Sequence, residues 1–255
     1  MIHSENIPPI CHYTLNRPNS WCSIRRTAPD AVDLYEIHLP AFIQDTDRFY
    51  SYLSMEEKKR VDDMYDQNRR SFFIVSNGFR RVILSRYISI TPAEIQFRTN
   101  QYGKPFISNQ NPDGVTFNTS HSHEILLFGI CKNRDIGVDI QFESDNFPEM
   151  KIANRVFGSV DSSYLAKFSG DELRHEFFRI WALKEAYCKA LGLGFSLPVE
   201  NMPVMSDLCD GEGTFSSQGS EWYAYRIQVQ RDYQASVIVR TSSESLILSD
   251  EGKEV

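Results

Sequence analysis

Residues 181–194 read Trp181-Ala-Leu-Lys184-Glu185-Ala-Tyr-Cys188-Lys189-Ala-Leu-Gly192-Leu-Gly194. Good helix formers fill the stretch up to Gly192, which supplies a left-handed stop. The pattern predicts a long helix from Asp171 to Leu191. Glu185 and Lys189 stand four residues apart on it, so they share one face with Cβ atoms about 5–6 Å apart. Taken alone, such a pair is an ordinary stabilising device of helix surfaces.

Upstream, Asp135-Ile-Gly-Val-Asp139-Ile-Gln141-Phe-Glu143 reads as a strand. Ile136, Val138 and Ile140 fall on one face, Asp139 and Gln141 on the other. A carboxylate within so apolar a strand is costly to bury without a partner. A hard cation is one suitable partner; the plain alternative is an aspartate facing solvent on a half-exposed strand. Further back, Phe117-Asn-Thr-Ser120-His121-Ser122-His123 lies on or just after a strand. The two histidines lack a third zinc ligand at fitting spacing, and Ser120 lacks the glycines of a nucleophile elbow. A small polar strand end that receives a phosphate fits better. Tyr102-Gly-Lys104-Pro105 is a turn whose lysine is left free, and by itself it is only a connection.

The remaining elements alternate between short strands and helices. Strand-like runs stand near Trp21–Arg25 and Leu34–Leu39. Ser54 opens a helix over MEEKKRVDDMY, and Phe72, Val75, Phe79, Val82 and Ile83 form the apolar stripe of a longer one. Arg80, Arg81 and Arg86 fall off that stripe and read as a solvated face. Thr91-Pro92-Ala93-Glu94 has the grammar of a helix start. Strands follow at Ile95–Arg98, Val115–Ser120, Ile125–Cys131 and Ile136–Phe142, with helices at Pro148–Phe157 and Ser162–Phe168. Trp222–Gln230 and Gln234–Arg240 read as a closing antiparallel pair. Helices paired with a few strands in each half indicate an α+β arrangement.

Composition narrows the function classes. The chain has 255 residues, 41% of them hydrophobic and 24% charged, as in an ordinary globular core with a charged surface. A net charge of −7 argues against nucleic acid as a partner. Its five cysteines are scattered, with no CxxC pair, and read as free thiols in a reducing compartment. The N-terminus lacks the apolar core of a signal peptide and no run is long enough to span a membrane. The expectation is a cytoplasmic protein with no membrane partner. Neither GxxxxGK[ST] nor HExxH occurs, which disfavours an unrelated nucleotide-binding or metal-dependent hydrolase.

The set GKP, FNTSHS, GVD and WALKEAYCKALGLG, in that order, closely resembles the signature of Sfp-type 4′-phosphopantetheinyl transferases. Asp139 and Glu185 are separated by the family's interval, and the motifs cover about residues 50–200, with the likeness reaching about 243. The resemblance implies a pseudo-twofold fold: two similar α/β halves with the active site in the cleft between them. Its boundaries would be an irregular N-terminal extension over 1–20, an N-terminal half over 21–134, a C-terminal half carrying the metal site over 135–245 and a frayed tail over 246–255.

The resemblance also implies an activity: Mg-dependent transfer of 4′-phosphopantetheine from coenzyme A to a serine of an apo acyl- or peptidyl-carrier protein, releasing 3′,5′-ADP. Magnesium, or manganese in its place, would be held by Asp139, Gln141 and Glu185. Glu185 would double as base, and Lys189 would pair with the pyrophosphate. Ser120, His121, Lys104, Arg60 and Lys184 match positions that contact coenzyme A, Lys104 and Arg60 at its 3′-phosphate and adenosine end. Many members carry an acid where this chain has Gln141, and the missing charge implies weaker metal binding. The implied state is a monomer. The alternative is a degenerate member that binds coenzyme A or a carrier without transfer.

Overall fold

The computed structural model describes residues 7–242, apart from 19, 21–23, 25–27, 29, 199–200 and 209–210. The strand expected at Trp21–Arg25 (all but Ile24) and the tail over 246–255 lie outside the described residues.

The N-terminal half comprises β1 (Ile10–Leu15), β2 (Val32–His38), α1 (Thr46–Tyr52), α2 (Met55–Asp62), α3 (Gln67–Ile88), a small ribbon of β3 (Phe97–Thr99) and β4 (Pro105–Ile107), and the hairpin β5 (Val115–Ser122) and β6 (Ile125–Lys132). The C-terminal half comprises β7 (Ile136–Phe142), α4 (Glu149–Val156), α5 (Ser159–Leu165), α6 (Gly170–Leu191), β8 (Glu212–Ser217), β9 (Ser220–Ile227) and β10 (Tyr233–Arg240).

The two halves wind alike. In the first, β2 leads through helices to α3 and returns as the β5–β6 hairpin, giving the antiparallel order β2-β6-β5. In the second, β7 leads to α6 and returns as β9–β10, giving the antiparallel order β7-β10-β9. Each sheet then gains one further strand: β1, parallel to β2, and β8, beside β9. The pseudo-twofold α+β architecture is therefore visible in the connectivity. β1 corrects the irregular extension expected over 1–20, because residues 10–15 pair with Val32–Ile37 in register. Their mixed polar sequence carries no strong alternation, so tertiary pairing decides their conformation.

Four layers result. Tyr35, Ile37, Leu126, Phe128 and Ile130 point from the first sheet toward α3 and join the core around Phe79 and Ile83. Leu34, Leu127 and Cys131 point the other way and meet Val138, Ile140, Val237 and Val239 of the second sheet. Trp222, Ala224 and Ile238 turn toward α6, against Ala186 and Tyr187. Because both sheets are covered on both faces, β6 is a nearly continuous apolar run, Ile125-Leu-Leu-Phe-Gly-Ile-Cys131. Truncating the fully buried Phe128 to alanine would cost about 3–5 kcal/mol.

Local signals explain the helices. Ser54 and Glu57 form a complete capping box at α2. α6 ends at Gly192, whose φ of 71° suits glycine and whose N–H reaches Cys188 O and Lys189 O. Thr91-Pro92-Ala93-Glu94 makes only a single 3₁₀ turn over Pro92–Glu94, since the chain goes on directly to β3. The solvated face expected for Arg80 and Arg81 is also corrected. Arg81 is 2% exposed, and both guanidiniums reach Glu57, at 2.6 Å from Arg80 and 2.8 Å from Arg81. Arg86 is exposed as expected.

Candidate active site at the junction of the halves

The two halves meet where edge strand β5 runs beside edge strand β7. Alternate residues of β5 form the junction. Asn118 Oδ1 accepts from Val138 N at 2.9 Å, Ser120 Oγ donates to Asp139 Oδ1 at 2.8 Å, and Ser122 Oγ accepts from Phe142 N at 3.0 Å. The period-two side-chain alternation of a strand thus turns Asn-x-Ser-x-Ser into one polar edge facing the partner half. Asn118 and Ser122 were not expected as site residues, although that alternation inside an otherwise apolar strand was the signal for them.

On the opposite side of β7 lies α6. A Cβ built on Gly137 would stand 1.9 Å from Ala186 O and 2.4 Å from Ala190 N, so only glycine lets the helix backbone rest on the strand here. That approach brings residues 185 and 189 of the helix up to residue 139 of the strand. Asp139 is 1% exposed, which rules out the solvent-facing alternative. Its Oδ1 accepts from Lys189 Nζ at 2.6 Å as well as from Ser120, and its Oδ2 accepts from Gln141 Nε2 at 2.7 Å. Lys189 Nζ also donates to Ser120 Oγ at 2.9 Å. Lys189 therefore faces the strand aspartate, and the surface Glu185–Lys189 pair is not formed.

Glu185 is the exception in this network. It is half-buried, yet its carboxyl has no hydrogen-bond or ion-pair partner among the described residues. Burial pushes its pKa up and the charge of Asp139 adds to that; Lys189 opposes, and the outcome is about 7. Such a value holds the group near its titration point at neutral pH, as a proton acceptor requires.

His121 stands exposed at the rim, on the strand that carries Ser120. Partial desolvation of its ring, then the charge of Lys189, holds its pKa below the usual histidine range, favouring the neutral imidazole. His123, at φ 49°, occupies the turn after β5 and packs on Phe142 at 4.3 Å.

Three expected contributors stand elsewhere. Lys184 is buried with its Nζ 2.7 Å from Asp161 Oδ2 and 3.2 Å from Pro203 O, so it is tied into the C-terminal half and not beside Asp139. One helical position from Glu185 turns the side chain by about 100°, which is why adjacent motif residues part ways. Lys104, expected to be free for a phosphate, donates to Ile136 O at 3.0 Å and Ala190 O at 3.1 Å. Burial pushes its pKa down to about 8, with Asp135 opposing. Arg60 is exposed and lines a groove of about 810 Å³ with Arg80, Arg98, Phe97 and Pro105, in the N-terminal half. A surface cavity of about 1170 Å³ beside His175 and Glu143 lies apart from Asp139 and Glu185.

The donor set was tested for a cation. No three His, Cys, Asp or Glu side chains converge among the described residues. Asp139, Glu185 and the amide carbonyl of Gln141 offer oxygen ligands, and burial, then the neighbouring charge of Asp139, disfavours an ionised Glu185 unless positive charge is added. That set fits a hard ion which completes its shell with phosphate oxygens and water. Gln141 at present donates its amide N–H to Asp139, so its carbonyl oxygen is the atom left for such an ion.

Comparison with known proteins identifies the family. Residues 135–238 match the model of the 4′-phosphopantetheinyl transferase superfamily, and residues 42–129 match that of the 4′-phosphopantetheinyl transferase N-terminal domain. The 4′-phosphopantetheinyl transferase Sfp of Bacillus subtilis is 30% identical over 173 residues, covering 67% of this chain and 75% of that protein. The 4′-phosphopantetheinyl transferase HetI of Nostoc sp. is 29% identical over 168 residues, covering 66% and 71%. The chain belongs to the 4′-phosphopantetheinyl transferase superfamily.

Proposed function

We propose that this chain transfers 4′-phosphopantetheine from coenzyme A to a serine hydroxyl of an apo carrier protein, with Asp139, Glu185 and Lys189 at the centre of the site. The observation that carries the reading is the unpartnered, half-buried Glu185 beside an Asp139 already bound by Lys189. Over a non-catalytic binder, transfer is favoured because the relatives matched above are transferases.

In this reading the carrier serine Oγ attacks the β-phosphorus of coenzyme A, the phosphorus bonded to pantetheine. The new O–P bond forms as the bond to the bridging pyrophosphate oxygen breaks, and 3′,5′-ADP leaves with that oxygen. Glu185 takes the serine proton, directly or through one water. Lys189, an ammonium donor 2.6 Å from Asp139, is within reach of a pyrophosphate oxygen at the same spot and offsets charge on the leaving side. Ser120 fixes Asp139 by hydrogen bonding and keeps Lys189 directed inward. His121, neutral at the rim, offers a ring N–H to a phosphate. Magnesium bound by Asp139, Glu185 and the Gln141 carbonyl, with manganese as a substitute, would neutralise charge on the pyrophosphate oxygens.

The groove holding Arg60 suits the 3′-phosphate end through its arginines. The same reading divides the chain between 134 and 135, treats it as a monomer and places it in the cytoplasm. No described helix is long and apolar enough to cross a membrane. The test is intact-mass measurement of several apo carriers incubated with the protein, coenzyme A and magnesium. The expected result is a gain of one phosphopantetheine on at least one carrier class. No gain on fatty-acid, polyketide or peptide-synthetase carriers would refute the reading.

A further inference from the structure

The turn Asn100-Gln-Tyr-Gly-Lys104 belongs to the N-terminal half, yet both of its reaching side chains end on the C-terminal half. Lys104 Nζ donates to Ala190 O at 3.1 Å and to Ile136 O at 3.0 Å. Asn100 Nδ2 donates to Gly192 O at 2.8 Å. Asn100 also builds the turn itself: its Oδ1 accepts from Tyr102 N at 3.0 Å and Lys104 N at 2.9 Å, and its backbone pairs with Lys104 O and Gly103 N. Gly103, at φ 88°, lets the chain reverse.

These contacts fall where α6 needs them. The last four carbonyls of a helix have no partner within it, and positive charge is favourable at that end. Gly192 N already serves Cys188 O and Lys189 O. Lys104 takes Ala190 O, and Asn100 takes Gly192 O just beyond. Ile136 O, the other acceptor of Lys104, opens the strand that carries Asp139. A single ammonium thus joins the start of β7 to the end of α6, one residue past Lys189. On the far side of the turn, a Cβ on Gly194 would stand 3.8 Å from Tyr102 O, so the chain after α6 packs on the same turn.

We infer that the 100–104 turn is a clamp between the halves, with Lys104 and Asn100 as positioning residues that hold the final turn of α6, and therefore Glu185 and Lys189, at a fixed setting against Asp139. The inference concerns the site argued above and rests on that reading for its catalytic consequence, but not for its structural one. In the clamp Lys104 acts through the backbone carbonyls of Ile136 and Ala190. This separates it from the phosphate-binding role that the motif alone suggests, because the two roles affect different quantities.

The experiment uses the full chain as wild type, Lys104→Met and Asn100→Ala. Lys104→Met keeps an unbranched chain of similar length in an enclosed place while removing the donor. Amide hydrogen exchange of the protein alone is followed over residues 186–192, with α3 as internal control. The clamp predicts exchange in 186–192 faster by about tenfold in Lys104→Met, and by a smaller factor in Asn100→Ala, with α3 unchanged. Steady-state transfer should show kcat falling by about tenfold in Lys104→Met, with KM for coenzyme A within about twofold. Unchanged exchange in 186–192 in both variants overturns the clamp. So does a raised KM for coenzyme A at constant kcat, which would restore Lys104 as a phosphate ligand. Should Lys104→Met fail to fold, Asn100→Ala alone decides, since its losses are the bond to Gly192 O and two bonds within a surface turn. If wild type transfers nothing to any carrier, the proposed function fails, while the exchange result still judges the clamp.

Discussion

Glu57 and Glu185 are both glutamates withdrawn from solvent on a helix, one in each half, and their surroundings differ completely. Burial raises the pKa of Glu57, but the Ser54 backbone N–H and the Arg81 and Arg80 guanidiniums outweigh it and hold the carboxyl below its usual range. Arg81 reaches it through two nitrogens, at 3.1 and 2.8 Å, and donates further to Ile95 O at 2.7 Å. Glu185 has burial and Asp139 pushing the same way and only Lys189 opposing, so its pKa rises to about 7. The N-terminal carboxylate has its charge satisfied by the protein; the C-terminal one has no such partner among the described residues, and in the proposed function it receives a cation. A buried charge with full partners maintains a fold, and a half-buried charge without them marks a place where something binds.

The sharpest way to break this comparison is to neutralise each glutamate by one isosteric change. Glu185→Gln should lower transfer by about a thousandfold or more, with a native circular dichroism spectrum. Without metal, the same variant should lose a pH dependence of stability. The folded wild type keeps its Glu185 proton up to about pH 7, whereas the unfolded chain releases it near 4.5. The folded state binds more protons between those values, so wild-type stability contributed by this group falls as pH rises through them. Melting temperatures from pH 4 to pH 8 should show that fall in wild type and a flatter curve in the amide. Transfer at more than a tenth of the wild-type rate would remove Glu185 from the chemistry.

Glu57→Gln should do the reverse. It leaves Arg81, 2% exposed, without its counter-ion, and loss of one member of a buried pair costs about 3–5 kcal/mol. Urea unfolding should show that loss, while kcat on the protein that remains folded stays within about twofold. A variant as stable as wild type would mean that the cluster is no structural anchor.

A smaller effect is expected at Gln141, which stands two residues beyond Asp139 and donates to it at 2.7 Å. Gln141→Glu supplies a charge where the chain lacks one. The magnesium concentration for half-maximal transfer should fall about tenfold if the new contact contributes about 1.4 kcal/mol. The maximal rate need not change, because tighter metal binding in the ground state does not stabilise the transition state. Superimposable magnesium titrations for the two proteins would exclude Gln141 from the metal shell.

Much of this was legible in the residues. β7, α6 and the β5–β6 hairpin were readable from apolar periodicity and the Gly192 stop, since long regular elements carry their own pattern. Periodicity put Asp139 on a strand face and Glu185 and Lys189 on one helix face, but only the family resemblance joined the three as a set. β1 was not, because parallel pairing with β2 is a tertiary event with no local signature. Arg81 looked solvated since a helix pattern shows only which residues lie off the stripe, and Glu57, which neutralises it, comes 24 positions earlier. Lys104 and Lys184 show the other limit. A lysine in a motif has one charge and many acceptors in reach, and only the packing of the halves shows that Lys104 meets carbonyls and Lys184 meets Asp161.

In the proposed function, Glu185 is the carboxyl at which the active site receives a cation. Calorimetric titration of magnesium into protein with coenzyme A, at pH 6.5 in two buffers of different ionisation enthalpy, counts the protons released. With a pKa of about 7 the carboxyl is mostly protonated at that pH, and a cation must displace the proton. Wild type should release most of one proton per ion bound, and Glu185→Gln close to none, with weaker binding. Equal proton release by the two proteins would contradict it.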